Sequence, residues 1–145
     1  MEIRTIGHDS EEYRRVVALR SAILRQPLGL AYSAADLAAE RDQLHLAGFI
    51  GAAPVATIIL QPLPEGLGKL RQMAVSEAGQ RKGLGTRLLQ AAEELARTHG
   101  LTRLMLHARE SALPFYEKAG YATVGARFTE VGLPHWRMEK PLTEA

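Results

Sequence analysis

Gly83 and Gly85 stand one residue apart, directly after the basic pair Arg81-Lys82, and open a long apolar-periodic run. Residues without a Cβ let the backbone approach a ligand closely and take dihedrals that others avoid. The first N–H groups of a helix have no partner inside it, and the positive end of the helix dipole lies there. A turn that feeds straight into a helix start therefore suits a phosphate or pyrophosphate. Arg81 and Lys82 add mobile positive charge beside those amides. Gly-x-Gly before a helix also serves as a plain turn, so the reading needs further support.

The turn must be held by the elements around it. Leu67 to Val75 reads as a strand, Ser76 to Gly79 as a short loop, and Arg81 to His99 as a helix with the stripe Leu84, Leu88, Ala91, Ala92 and Leu95. Gly100 is placed to end that helix. Leu101 to Ala108 reads as a buried strand, which completes a βαβ unit. Upstream, Glu2–Ile6 is a short strand. Asp9 or Ser10 caps a helix that Pro27 stops, and Ser33 to Asp36 resembles a capping box opening a helix through about Arg41. Gln43–Ile50 and Val55–Leu60 form a hairpin. Downstream come a short helix from Ser111 to Ala119 and two strands, Tyr121–Val131 and Leu133–Met138. Trp136 and Met138 are expected on the core face, with His135, Arg137 and Glu139 opposite.

With the turn placed, its wording becomes informative. Gln80-Arg81-Lys82-Gly83-Leu84-Gly85, after a strand ending in Val75, resembles the Gln/Arg-x-x-Gly-x-Gly/Ala signature of the GNAT superfamily of N-acetyltransferases. Downstream, Phe115-Tyr116-Glu117-Lys118-Ala119-Gly120-Tyr121 is similar to that family's Phe-Tyr-x-Lys-x-Gly-Phe segment. The resemblance is strongest from about Ala56 to Val124 and implies a mixed, mostly antiparallel α/β sheet, splayed in the middle and flanked by helices. It implies acetyl-CoA as co-substrate and an amine as acceptor, with a small-molecule amine the leading reading and a protein N-terminus or lysine the other. The backbone of Met73, Ala74 and Val75 would pair with the pantetheine arm. The pyrophosphate would rest on the amides of Arg81, Lys82, Gly83, Leu84, Gly85 and Thr86. Tyr116 would lie near the sulfur and protonate it. Dimers are common in the superfamily, which leaves a homodimer open.

Amide formation from a thioester needs a neutral amine, a donor for the developing oxyanion and help for the leaving thiolate. Several members of the superfamily carry a glutamate on the strand before the glycine turn. This chain has no acid between Leu67 and Val75. Glu130 and His135, near the final turn, and Glu40 are the remaining candidates for the base. A histidine suits that task by its ordinary titration range. Arg20, on the apolar stripe of the first helix, reads either as an edge residue reaching to water or as a cleft cation meeting an acidic substrate group.

Composition narrows the alternatives. The 145 residues fit one domain, and 46% hydrophobic with 23% charged residues fits a globular protein. There is no cysteine, so disulfides, thiolate nucleophiles and zinc–sulfur sites are excluded. The five histidines lack ligand spacing, so no metal is expected. The net charge of +2 gives no argument for nucleic acid. No run is long enough to span a membrane and the start lacks a leader-like apolar stretch, so a cytoplasmic location is expected. Two competing classes stay open: a non-catalytic CoA-binding or sensing module of the same fold, and a phosphate or nucleic-acid module built on Gln80 to Thr86.

Overall fold

The computed structural model describes residues 1–80 and 82–142. Among them seven strands form one sheet in the order β1-β2-β3-β4-β5-β7-β6. The strands are β1 (Glu2–Ile6), β2 (Leu44–Ile50), β3 (Ala53–Pro62), β4 (Leu67–Val75), β5 (Arg103–Arg109), β6 (Ala122–Glu130) and β7 (Leu133–Pro141). All neighbours are antiparallel except β4 and β5. That parallel pair is short: it runs from Leu67 opposite Arg103 to Leu70 opposite Leu106 and then stops. Both strands continue, so the sheet splays open beyond Leu70. The expected mostly antiparallel α/β sheet with a split centre is what the chain forms.

Five α-helical segments flank it: α1 (Glu11–Leu24), α2 (Ala34–Ala38), α3 (Glu77–Gln80), α4 (Leu84–Thr98) and α5 (Leu113–Lys118). The caps follow from sequence. Ser10 accepts from the Tyr13 amide, and Ser33 and Asp36 exchange both bonds of a capping box. The loop expected before the glycine turn contains the single turn α3, closed by the Gly79 and Gln80 amides on the Ser76 carbonyl. Helix α4 begins at Leu84 rather than at 81, because Gly83 has φ of +71° and stands outside it as the cap. β5 begins at Arg103 instead of Leu101, since the Leu101 amide still closes the end of α4 on the Ala96 carbonyl. Among the described residues no helix is long and apolar enough to cross a membrane.

Two packing layers result. On one face α4 buries Leu88, Leu89, Ala92 and Ala96 against Ile58, Leu60, Leu104 and Met138, and Leu84 is buried at its start. Each fully buried leucine contributes roughly 1.5–3 kcal/mol. The stripe expected on α4 is shifted: Ala91 and Leu95 are only partly buried, and Leu89 and Ala96 take the deeper places. Glu93 is also buried, neutralised by the Tyr121 hydroxyl at 2.8 Å and the Lys140 ammonium at 3.1 Å. On the other face α1 packs Tyr13 and Val16 against Ile6, Ala47 and Phe49.

Both readings of Arg20 give way here. It is fully buried, and its Nη2 donates to Glu40 Oε1 at 2.7 Å and Oε2 at 2.6 Å. The Tyr13 hydroxyl donates to the same carboxylate at 2.8 Å, and His45 Nε2 donates to the Glu40 carbonyl at 2.9 Å. An unpaired charge in such a place would be untenable, so stripe and acid come as a set. Glu40 is therefore committed to the interior and is removed as a candidate base.

Candidate active site

The site grows out of the split between β4 and β5. Strand β4 carries one residue more than β3 across a bulge: Thr57 faces Ala74, whereas Ile59 faces Arg71. Gln72 sits in the bulge with φ of +54°, a conformation a side-chain-bearing residue takes only when its surroundings impose it. The hydroxyl of Tyr32, in the loop before α2, donates to Gln72 Oε1 at 2.5 Å and fixes it. The extra residue changes the phase of the strand. Leu70 before it and Met73 and Val75 after it turn toward the α4 core, while Lys69 and Arg71 face the other side. Past Leu70 the β5-facing edge of β4 has no strand beside it. Its backbone groups there are open to an extended ligand.

A groove of about 440 Å³ runs from that edge to the start of α4, lined by Met73, Ala74, Val75, Gly83, Gly85 and Thr86 with Phe115 and Tyr116. The Gly83, Leu84, Gly85 and Thr86 amides precede the first i→i−4 bond of α4, which Arg87 makes to the Gly83 carbonyl. A Cβ on Gly85 would stand 3.4 Å from the Phe115 ring and 3.5 Å from Met73 Cε, so a side chain there would fill the cradle. The groove therefore fits an extended ligand with an anionic end. One motif position behaves differently from expectation. The Lys82 amide is already bonded to the Gly79 carbonyl at 3.1 Å, so its exposed side chain is the part left for a ligand, while the Leu84 side chain is buried as its place on the stripe requires. Arg81 lies outside the described residues.

A second cavity, also about 440 Å³, opens on the α1 side of the split. Its walls include the end of α1 (Leu24, Arg25), β4 (Lys69 to Met73), β5 (Leu106 to Arg109), Glu130 and His135. The two cavities share Met73, Ala112 and Tyr116. Tyr116 stands at the junction, its hydroxyl 3.4 Å from Met73 Sδ. Burial pushes its phenol up to about 12.

His135 and Glu130 come together across the β6–β7 turn. His135 is buried and on the face opposite Met138, as the alternation of β7 requires. Its Nδ1 lies 2.9 Å from the Leu133 carbonyl. A carbonyl only accepts, so Nδ1 carries a proton, and Nε2 is the ring nitrogen left to exchange one. That Nε2 is 3.6 Å from Glu130 Oε2, and the other carboxylate oxygen is 3.0 Å from His107 Nδ1. Sequence reasoning missed His107, Lys69, Arg71, Arg109 and Gln72. The first four alternate with apolar residues on β4 and β5, a period-two signal that was present. The bulge at Gln72 left none.

Residues 25–142 match the family profile described as Acetyltransferase (GNAT) domain. The chain belongs to the GNAT acetyltransferase family. Among its GNAT relatives, the uncharacterized N-acetyltransferase YjcF of Bacillus subtilis is 30% identical over 102 residues, covering 70% of this chain and 72% of YjcF. An acyl-CoA N-acyltransferase of Pseudomonas aeruginosa superposes with a TM-score of 0.83 at 21% identity, over 96% of this chain and 98% of that one. An aminoglycoside 6'-N-acetyltransferase, solved in complex with coenzyme A, superposes with a TM-score of 0.82 at 16% identity, over 100% of this chain and 99% of that one. At these identities the two solved structures carry the fold. Among the described residues no cluster of three or more His, Asp or Glu side chains could hold a metal ion.

Proposed function

We propose that this GNAT protein moves an acetyl group from acetyl-CoA to a primary amine of a small molecule by direct attack. The observation that carries the reading is the meeting of two cavities at Tyr116 and Met73: a groove that reaches the start of α4 on one side and a cleft with a histidine–carboxylate pair on the other.

Acetyl-CoA supplies the activated acyl carbon. Every other requirement falls to residues of the chain. The amides of Gly83 to Thr86 take the diphosphate, with the Lys82 side chain reaching it from outside. The open edge of Met73 to Val75 holds the arm, and a backbone N–H there meets the charge developing on the thioester oxygen. His135 Nε2, with Glu130 at its side, accepts the proton that the ammonium must lose before attack. Tyr116 donates to the departing sulfur. Its phenol at about 12 is a weak acid. Outright transfer to a thiolate of ordinary pKa ~8.5 would be uphill by about 5 kcal/mol, so the hydroxyl acts as a hydrogen-bond donor and the sulfur takes its proton from solvent.

The test combines calorimetry with coenzyme A and thiol release from acetyl-CoA across a panel of amines, amino acids and peptides. Binding plus amine-dependent thiol release is the expected result. Binding without release would make the chain a CoA-binding module instead, and no binding by a folded sample would overturn the donor groove itself.

A further inference from the structure

The cleft opposite the donor groove has an unusual charge. Elsewhere on the described surface Arg4, Arg103, Arg127 and Lys140 each lie within salt-bridge distance of a carboxylate, and the cations that make no such pair among the described residues, Arg41, Lys82, Arg87 and Lys118, do not line this cleft. Arg25, Lys69, Arg71 and Arg109 all line the cleft, and none of the four pairs with a carboxylate among the described residues. Arg25 and Arg109 both donate to the Leu24 carbonyl, at 3.2 and 3.1 Å, so two guanidiniums converge on one neutral oxygen. Arg71 is satisfied only by the neutral side chain of Gln43, at 2.6 Å. The Lys69 side chain makes no hydrogen bond within the described residues, and burial and the neighbouring Arg71 lower its pKa against the opposing pull of Glu130. One carboxylate, Glu130, lines the same cleft, 3.0 Å from His107 Nδ1 and 3.6 Å from His135 Nε2, which leaves four cations to one anion on this wall. Like charges gathered in a concave site are unfavourable unless something negative joins them.

We propose that the acceptor amine carries an anionic group, a carboxylate or a phosphate, which Arg25, Lys69, Arg71 and Arg109 hold in the cleft. This rests on the acetyltransferase reading above and names the class of its acceptor. The four cations anchor the anion, and the same field disfavours an ammonium in the cleft, which helps the amine reach its neutral form. A polycationic acceptor meets repulsion there.

Matched pairs test this. Phenylalanine is compared with phenethylamine, and phosphoethanolamine with ethanolamine, so each pair differs by one anion. The two anionic members separate carboxylate from phosphate. Thiol release is measured with the full chain and acetyl-CoA, and binding of the same four compounds is measured by calorimetry on the CoA-saturated protein. The anionic member of at least one pair is expected to be favoured about tenfold to hundredfold in kcat/KM or in affinity, the range of one charge-assisted contact. Lys69→Gln is chosen because Lys69 supports no hydrogen bond of the fold, and Arg109→Gln is the second variant. Each should remove most of that preference through KM, with the loss falling far more heavily on the anionic member of the pair. Equal or inverted preference within both pairs, by turnover and by binding, overturns the proposal, as does a loss that falls on both members alike. Coenzyme A binding is read separately: its absence strikes the donor groove, whereas normal CoA binding with a charge-blind cleft strikes this inference alone.

Discussion

Gly85→Val probes the donor groove most directly. An added Cβ would sit 3.4 Å from two carbons of the Phe115 ring and 3.5 Å from Met73 Cε, close but bearable. The two further methyls of valine add bulk to a groove that Gly85 and Thr86 themselves line, and are expected to crowd a diphosphate held there. The helix does not object, since valine is a few tenths of a kcal/mol better than glycine inside an α-helix. A diphosphate held by the Gly85 and Thr86 amides loses charge-assisted bonds of about 1.5–3 kcal/mol each. The sum, about 3–6 kcal/mol, corresponds to roughly a hundredfold to a ten-thousandfold rise in the Kd for coenzyme A. Calorimetry reads the Kd, and a circular dichroism melt shows that the fold is kept. Gly85→Ala serves as the graded control and should lie between the parent and the valine variant. A folded Gly85→Val protein that binds coenzyme A within about threefold of the parent would refute the placement of the diphosphate.

The remaining predictions follow from contacts in the interior and at the junction. Tyr116→Phe should lower kcat by about tenfold or more, the value of one hydrogen bond to a charged group, with the Kd for coenzyme A nearly unchanged; an unaltered kcat in stopped thiol-release assays would remove the hydroxyl from the chemistry. Arg20→Met strands the buried Glu40 carboxylate and should cost about 3–5 kcal/mol in urea denaturation, while joint replacement with Glu40→Leu should recover much of it. A single-variant cost below about 1 kcal/mol would mean that the pair is hydrated after all. Burial raises the phenols of Tyr13, Tyr116 and Tyr121 above the ordinary value of 10, Tyr116 to about 12. The folded chain then keeps protons that the unfolded chain releases. Stability is whole below pH 10 and falls as pH rises toward 12, by up to about 1.4 kcal/mol per pH unit for each tyrosine. Urea midpoints between pH 9 and 11.5 check this, and a flat profile would contradict it.

How far the sequence foretold this molecule depends on the range of the interaction. Ser10, Ser33 and Asp36 cap helices by bonds that span three residues, and all were legible. Strand β4 was placed with its observed bounds, because glycine, proline and alternating apolar residues punctuate it locally. The glycine turn and Tyr116 were legible through wording that resembles a family. His135 and Glu130 were named as separate candidates, and their approach depends on the register of β6 against β7. What failed was long-range pairing of polar groups. Arg20 meets Glu40 across twenty positions, and Glu93 meets Tyr121 and Lys140 across still more. Arg20 was read as an edge or cleft cation and Glu40 as a candidate base, because nothing nearby in the chain announces the partner of either. The four unmatched cations of the cleft escaped for the same reason, since their common wall exists only once β4, β5 and α1 are assembled.

Tyr32 ties together parts that otherwise look separate. The Arg20 and Arg25 guanidiniums lie over its ring, at 4.5 and 4.8 Å from the centroid, and its hydroxyl holds Gln72. One aromatic side chain thus links the hidden ion pair, the rim of the cleft and the kinked strand. Any lineage that retunes which amine it accepts by rewriting this short segment disturbs its own melting temperature at the same stroke. Swaps of taste should then travel with compensating changes deep inside, and libraries diversified at the rim alone should yield many variants that never mature into soluble protein.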